Sequence, residues 1–370
     1  MKKKHIVSIV IVLILGVLLV SFWNGNRSEG TKRKVYALLP LTGMVADPGN
    51  MAKNAMILYM KEHPETDYSL HFIDSESSAS KAVAALSNAI AGEDKPIVVS
   101  FMLPITLSVL STVQAKGGFV LATGTLDSPS LQKYQSYVRI SHGARDFTIP
   151  MANYVNQHYK KIAVIYANDE YGTTVKNVFK ENLLSSKVSV LSEVNYVPAN
   201  ADVRNCIERI KNLGCEAVFI TGMFSVGYQS LLQEIQTVGL KLDVVTDISF
   251  THPSIKGMSQ SIRNSVIFPC FDAELPMPTN YSSRKFRELC FANGTTPYFV
   301  TIESFDALDL LDRFLKEHRV LSQWEFAKLG VYEGVSGKIK FDTAGNSFYS
   351  PVVARFHNGV TEVLGQKDNN

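Results

Sequence analysis

KVYALLPLTGMVADPGNMAKNAMILYMKE, residues 34–62, sets a short apolar run ahead of a broken loop and a helical stretch. Val35 to Leu39 is continuously apolar, as suits a strand buried on both faces of a parallel sheet. Pro40, Gly43, Pro48 and Gly49 interrupt it and force a loop. Asn50 is then placed to cap a helix whose apolar face is Met51, Ala55, Leu58 and Tyr59. The unit is strand, long loop, helix, with the loop at the carboxyl end of the strand. In open α/β sheets ligands bind at that edge.

The same unit recurs outward from there. Strands are expected over 68–73, 96–100, 119–122 and 137–140, with helices over 80–91 and 106–115. Near Ser141 the pattern restarts: a helix over 145–159, the strand IAVIY at 162–166, the loop ANDEYG at 167–172 and a helix ending near Leu184. Further strands are expected at 188–194, 217–221 and 243–246, with helices over 203–213 and from about 229 to 238. Residues 266–268 lead back toward the first half, where helices are expected over 284–292 and 298–314, the second with Thr296 as cap and Pro297 at its first position. Residues 334–341 and 352–357 read as a terminal hairpin. Alternating short apolar strands and helices predict an α/β fold of doubly wound parallel sheets.

The chain has 370 residues, more than one typical core, so two domains are expected. Its formal net charge is +3, and Lys2, Lys3 and Lys4 account for all of it. No basic surplus remains to attract nucleic acid, so that partner is excluded. The lysines precede an apolar run over residues 6–23, a length close to the roughly 20 residues that cross a bilayer. The run fits a signal peptide or a membrane anchor. It lacks a clean small-x-small cleavage site and a following Cys, which favours an uncleaved anchor with the remainder exported. Residues 24–33 are polar and Gly-containing, a linker. Export permits disulfides, with Cys270–Cys290 the candidate bridge, but buried packing is the expected role of Cys206, Cys215, Cys270 and Cys290.

The segments VYALLPLTG, IAVIYANDEYG, GLKLDVVTD and above all EGVSGKIKFDTAGN give the exported part a resemblance to type I periplasmic binding proteins of the leucine/isoleucine/valine-binding branch. The resemblance spans residues 34 to about 365. It implies two lobes joined by three crossovers near Ser141, Phe271 and Gly337. The first lobe is then 34–141 with 272–336, and the second 142–271 with 337–365. It also implies an extracytoplasmic solute-binding protein that captures a small molecule, amino-acid-like or less polar, and delivers it to the permease of an ABC importer. A ligand-sensing module working through a membrane receptor is the alternative.

An enzyme is the weaker reading. No G-x-G-x-x-G follows a strand, and no P-loop or His/Cys metal pattern occurs, so no cofactor or metal is expected. Gly222-Met-Phe-Ser225-Val-Gly227 has one residue too many for a nucleophile elbow. His142, near a crossover, reads as a surface or hinge residue. A ligand between lobes would lie at strand ends and helix starts. These positions hold Thr42, Phe101, Met102, Leu103, Thr123 and Thr125 on the first lobe, and Tyr171, Met223, Phe224 and Asp247 on the second. Tyr171 can lay its ring on an apolar ligand and direct its hydroxyl to a polar group.

Amino-acid-binding members of the family hold the ligand carboxylate with a hydroxyl and backbone N–H groups of the loop after the third strand. Here that loop reads Ser100-Phe101-Met102-Leu103-Pro104, with no side-chain hydroxyl from Phe101 onward and no N–H on Pro104. A ligand less dependent on a carboxylate than leucine is expected, apolar or amide-bearing. The competing expectation is that Thr106 supplies the hydroxyl. Asp247 stands one position away from the family's ammonium-binding acid and could still pair with a cationic group.

Overall fold

The computed structural model describes residues 32–200, 202–223, 226–258 and 262–364. The expected anchor or signal segment and nearly all of the linker lie outside these residues. Among the described residues no helix is long and apolar enough to cross a membrane.

The first sheet is built from β1 (Arg33–Leu39), β2 (Tyr68–Asp74), β3 (Ile97–Phe101), β4 (Phe119–Thr123) and β5 (Tyr137–Arg139). All pair in parallel, in the order β2-β1-β3-β4-β5. Alternate residues of β1 enter opposite cores: Val35, Ala37 and Leu39 on one face, Tyr36 and Leu38 on the other. A strand covered by helices on both sides must be apolar throughout, and β1 is apolar from Val35 to its end. Its helices are α1 (Ala46–Glu62), α2 (Ala79–Ala89) and α3 (Leu103–Ala115).

The second sheet comprises β6 (Lys161–Ala167), β7 (Ser189–Tyr196), β8 (Ala217–Thr221), β9 (Asp243–Thr246) and β10 (Val266–Cys270). Its parallel part has the order β7-β6-β8-β9-β10, the same winding as the first. Around it lie α4 (Ala144–His158), α5 (Glu170–Glu181), α6 (Arg204–Glu208), α7 (Val226–Thr237) and α8 (Pro253–Met258). The chain then returns to the first lobe through α9 (Tyr281–Ala292), α10 (Phe299–Lys316) and α11 (Gln323–Ala327). Next comes a small antiparallel sheet of β11 (Val331–Gly334), β12 (Gly337–Phe341) and β13 (Ser347–Tyr349). β14 (Val352–His357) and β15 (Val360–Val363) finally join the second sheet beside β10.

Several expectations are corrected. The terminal hairpin does not form: β12 pairs with β11 and β13, whereas β14 pairs with β10 and β15. Ile339, Phe341 and Tyr349 pack in the first-lobe core, so the last crossing falls at Ser350-Pro351 and not near Gly337. α1 starts at Ala46 rather than after Asn50, because Pro48 and Gly49 sit in its first turn, where a missing N–H costs nothing. Asn50 donates to Ala46 O (2.8 Å) and Leu41 O (3.1 Å) instead of capping. α10 begins after Tyr298, whose N–H is accepted by Thr301 Oγ1 (2.9 Å), so Thr296 is no cap. The helix expected over 203–213 is only the short α6. No Cys270–Cys290 bridge exists: Cys270 lies in the second-lobe core and Cys290 in the first.

The three crossings are tied to one another. Ser347 Oγ donates to Ser141 O (2.7 Å), and the buried Arg139 guanidinium donates to Ser347 O (2.8 Å) and Ser141 O. Phe271, on the middle crossing, meets the rings of Tyr349 (5.5 Å) and His142 (6.2 Å) edge-on. A hinge so stitched leaves the cleft between lobes at the carboxyl ends of β3, β4, β6 and β8.

Candidate functional site

A cavity of about 240 Å³ occupies that cleft. From the first lobe come Phe101 to Pro104, at the start of α3, and Gly124 to Asp127, after β4. Ser141 and His142 come from the first crossing and Phe299 from α10. The second lobe contributes Asp169, Glu170, Tyr171 and Thr174 at the start of α5, with Met223 after β8. Each helix start is there for a local reason. Pro104 is tolerated in the first turn of α3, and Asp169 caps α5 by accepting from Gly172 N (2.7 Å).

Of the sequence candidates, Phe101, Met102, Leu103, Thr125, Tyr171 and Met223 line the cavity. Thr42, Thr123 and Asp247 do not. Thr42 is exposed and donates to Asp74 Oδ2 (2.7 Å). Thr123 is buried and donates to Ser100 O (3.1 Å). Phe224 lies outside the described residues. Thr106, the alternative hydroxyl, is fully buried and pairs with Ser100 Oγ (2.7 Å), away from the cavity.

Asp247 lies beneath the second-lobe wall. Its Oδ2 accepts from Thr221 Oγ1 (2.7 Å) and Gly222 N (3.0 Å), and its Oδ1 from Ser249 N (2.9 Å). Burial raises its carboxyl pKa despite these donors. Tyr171 stands beside it: burial first, then the Asp247 charge, pushes the phenol well above its ordinary value. That phenol stays protonated at neutral pH, a donor or acceptor at the cleft wall.

Sequence reading missed Glu303. It sits on α10 with no exposed surface. Its Oε2 accepts from Gly124 N (3.1 Å); its Oε1 accepts from His142 N (3.0 Å) and lies 2.5 Å from His142 Nδ1. His142 is therefore no surface residue. It is a buried hinge residue that also lines the cavity, with its ring 5.0 Å from that of Phe299 and 4.7 Å from that of Phe147. The available signal was an acid set among apolar residues in the first turns of the helix, where its neighbours Ile302, Ser304 and Phe305 are all buried. Asp169 and Glu170 were also missed, although the logic that selected Tyr171 applies to them.

Two matching doubly wound lobes, three tied crossings and a mostly apolar cavity between strand ends define a two-lobed ligand-binding clamp. The family model for periplasmic binding proteins matches residues 34–351, and the chain belongs to that family. No curated protein matches the sequence at a significant level. Among solved structures, the fold is similar to the branched-chain amino acid transporter substrate-binding protein LivJ of Streptococcus pneumoniae in complex with isoleucine. That likeness has a TM-score of 0.77 and 14% identity, covering 90% of this chain and 99% of that one. The leucine-binding protein LivK of Thermotoga maritima is similar at TM-score 0.76 and 17% identity, covering 90% and 98%. A solute-binding protein of an ABC transporter from Rhodopseudomonas palustris, in complex with 3,4-dihydroxybenzoic acid, gives 0.72 and 17%, covering 87% and 92%.

Proposed function

We propose that this is an extracytoplasmic solute-binding protein that captures a small molecule between its lobes and delivers it to the permease of an ABC importer. The observation that carries the reading is the cavity itself, lined from both lobes and from the hinge. A ligand held there gains contacts from both sides only when the lobes are together, so binding shifts the population toward a compact form. Phe101, Met102, Leu103, Thr125, Tyr171 and Met223 form the contact surface of this proposal, and Asp247 orders the second-lobe wall behind Tyr171. The family membership and the ligand-bound proteins of the same fold support it.

Native mass spectrometry of the protein purified from its own host identifies what co-purifies. Small-angle scattering with and without that compound then tests the mechanism. A smaller radius of gyration on saturation is expected. Identical dimensions in the two states overturn the clamp.

A further inference from the structure

We infer that Glu303 is an internal carboxylate filling the cradle that would otherwise receive a ligand's carboxylate, and that the cleft accordingly selects an organic amine without one. The inference rests on the reading of the cleft as a ligand site and specifies what it takes.

Backbone N–H groups at a strand's carboxyl end are the ordinary receptors for an anion in this architecture. After β4 and β5 three of them are already engaged. Gly124 N and His142 N both donate to Glu303, and Thr125 N donates to Ser141 Oγ (3.0 Å). Met102 N, after β3, donates to Thr123 O (3.1 Å), and the next residue but one is Pro104. A ligand carboxylate aimed at these donors would have to displace Glu303 from them.

The charge of the lining agrees. Asp127, Asp169 and Glu170 face the cavity, and no Lys or Arg lines it among the described residues. The guanidinium of Arg139 is spent on Ser141 O and Ser347 O within the hinge. An ammonium group at the acidic rim gains from these charges, while an apolar body packs on Phe101, Phe299 and Tyr171, whose ring faces also favour a cation.

The test is calorimetry on the full chain, freed of co-purified ligand, with two matched series. The first is phenethylamine, phenylalanine, 3-phenylpropanoate and 2-phenylethanol; the second is isoamylamine and leucine. Each amine should bind at least about tenfold more tightly than its amino acid, with the acid and the alcohol weaker still. Glu170→Gln should weaken phenethylamine more than 2-phenylethanol. Glu303→Ala should gain thermal stabilisation from added acetate that the native protein does not show. An amino acid binding as tightly as its amine, or the alcohol doing so, overturns this inference and leaves the binding-protein reading standing. Silence of every probe in both series, together with the absence of any co-purifying compound, overturns both.

Discussion

The first residue after β3 is Met102 and the first after β8 is Gly222; the two strands hold equivalent places in the two sheets. Both residues take positive φ, +76° at Met102 and +157° at Gly222. In the second lobe glycine is obligatory, since a Cβ would run into the Tyr196 hydroxyl, and Asp247 accepts the Gly222 N–H. In the first lobe a methionine carries a conformation suited to glycine, and its side chain lines the cavity. The carboxylates behind the two walls differ likewise. Asp247 comes from the adjacent loop and ties its own lobe. Glu303 comes from a helix 179 residues beyond Gly124 in sequence and ties the first-lobe loop to the hinge. The second wall is thus locally built, whereas the first is strained and held from a distance.

Breaking the distant tie should have the largest effect. Glu303→Ala leaves His142 and two buried N–H groups without their acceptor and should cost about 4 kcal/mol in urea denaturation. Asp247→Ala removes three donors' acceptor within one lobe and should cost about 3 kcal/mol. If the two losses came out in the opposite order, the contrast between local and distant support would fail.

Gly222→Ala should lose about 2 kcal/mol through the Tyr196 collision, read as a lower thermal midpoint. Met102→Gly, at the matching position, should instead gain about 1 kcal/mol by relieving a backbone conformation that glycine adopts freely. A loss there would show that the methionine side chain outweighs its strain.

The smallest effect is a pH dependence across the cleft mouth. His252 of the second lobe lies 3.4 Å from Asp47 of α1, and burial lowers its pKa from 6.5 to about 4, against the pull of Asp47. Because the folded value lies below the unfolded one, its contribution is complete above about pH 6.5 and is lost as pH falls toward 4. His252 is buried but Asp47 stands in solvent, and screening of that pair keeps the effect below about 1 kcal/mol. His252→Gln should flatten that decline in stability measured between these pH values, and an unchanged slope would remove His252 as its source.

Much of the wall was legible. Phe101 to Leu103, Thr125, Tyr171 and Met223 follow from locating the strand ends, because a buried parallel strand announces itself as an apolar run and its ligand edge as the loop after it. Thr42 and Thr123 were misread, since a hydroxyl at a strand end serves the backbone or a neighbouring acid as readily as a ligand. Asp74 and Ser100 O take them here. The terminal hairpin was misjudged for a related reason. Apolar alternation in 334–341 and 352–357 shows that strands exist without showing which partner each finds.

By itself the sequence determined the α/β class, the repeated strand–loop–helix unit and the position of the cleft, because these follow from apolar periodicity and from where Gly and Pro break it. Only the tertiary structure decided what the cleft is made of. Glu303 reaches Gly124 and His142 across 179 and 161 residues, and Asp247 turns beneath Tyr171 rather than into the cavity. A carboxylate's role depends on the donors and charges within a few ångströms of it, and in a chain that crosses between lobes those neighbours are remote in sequence.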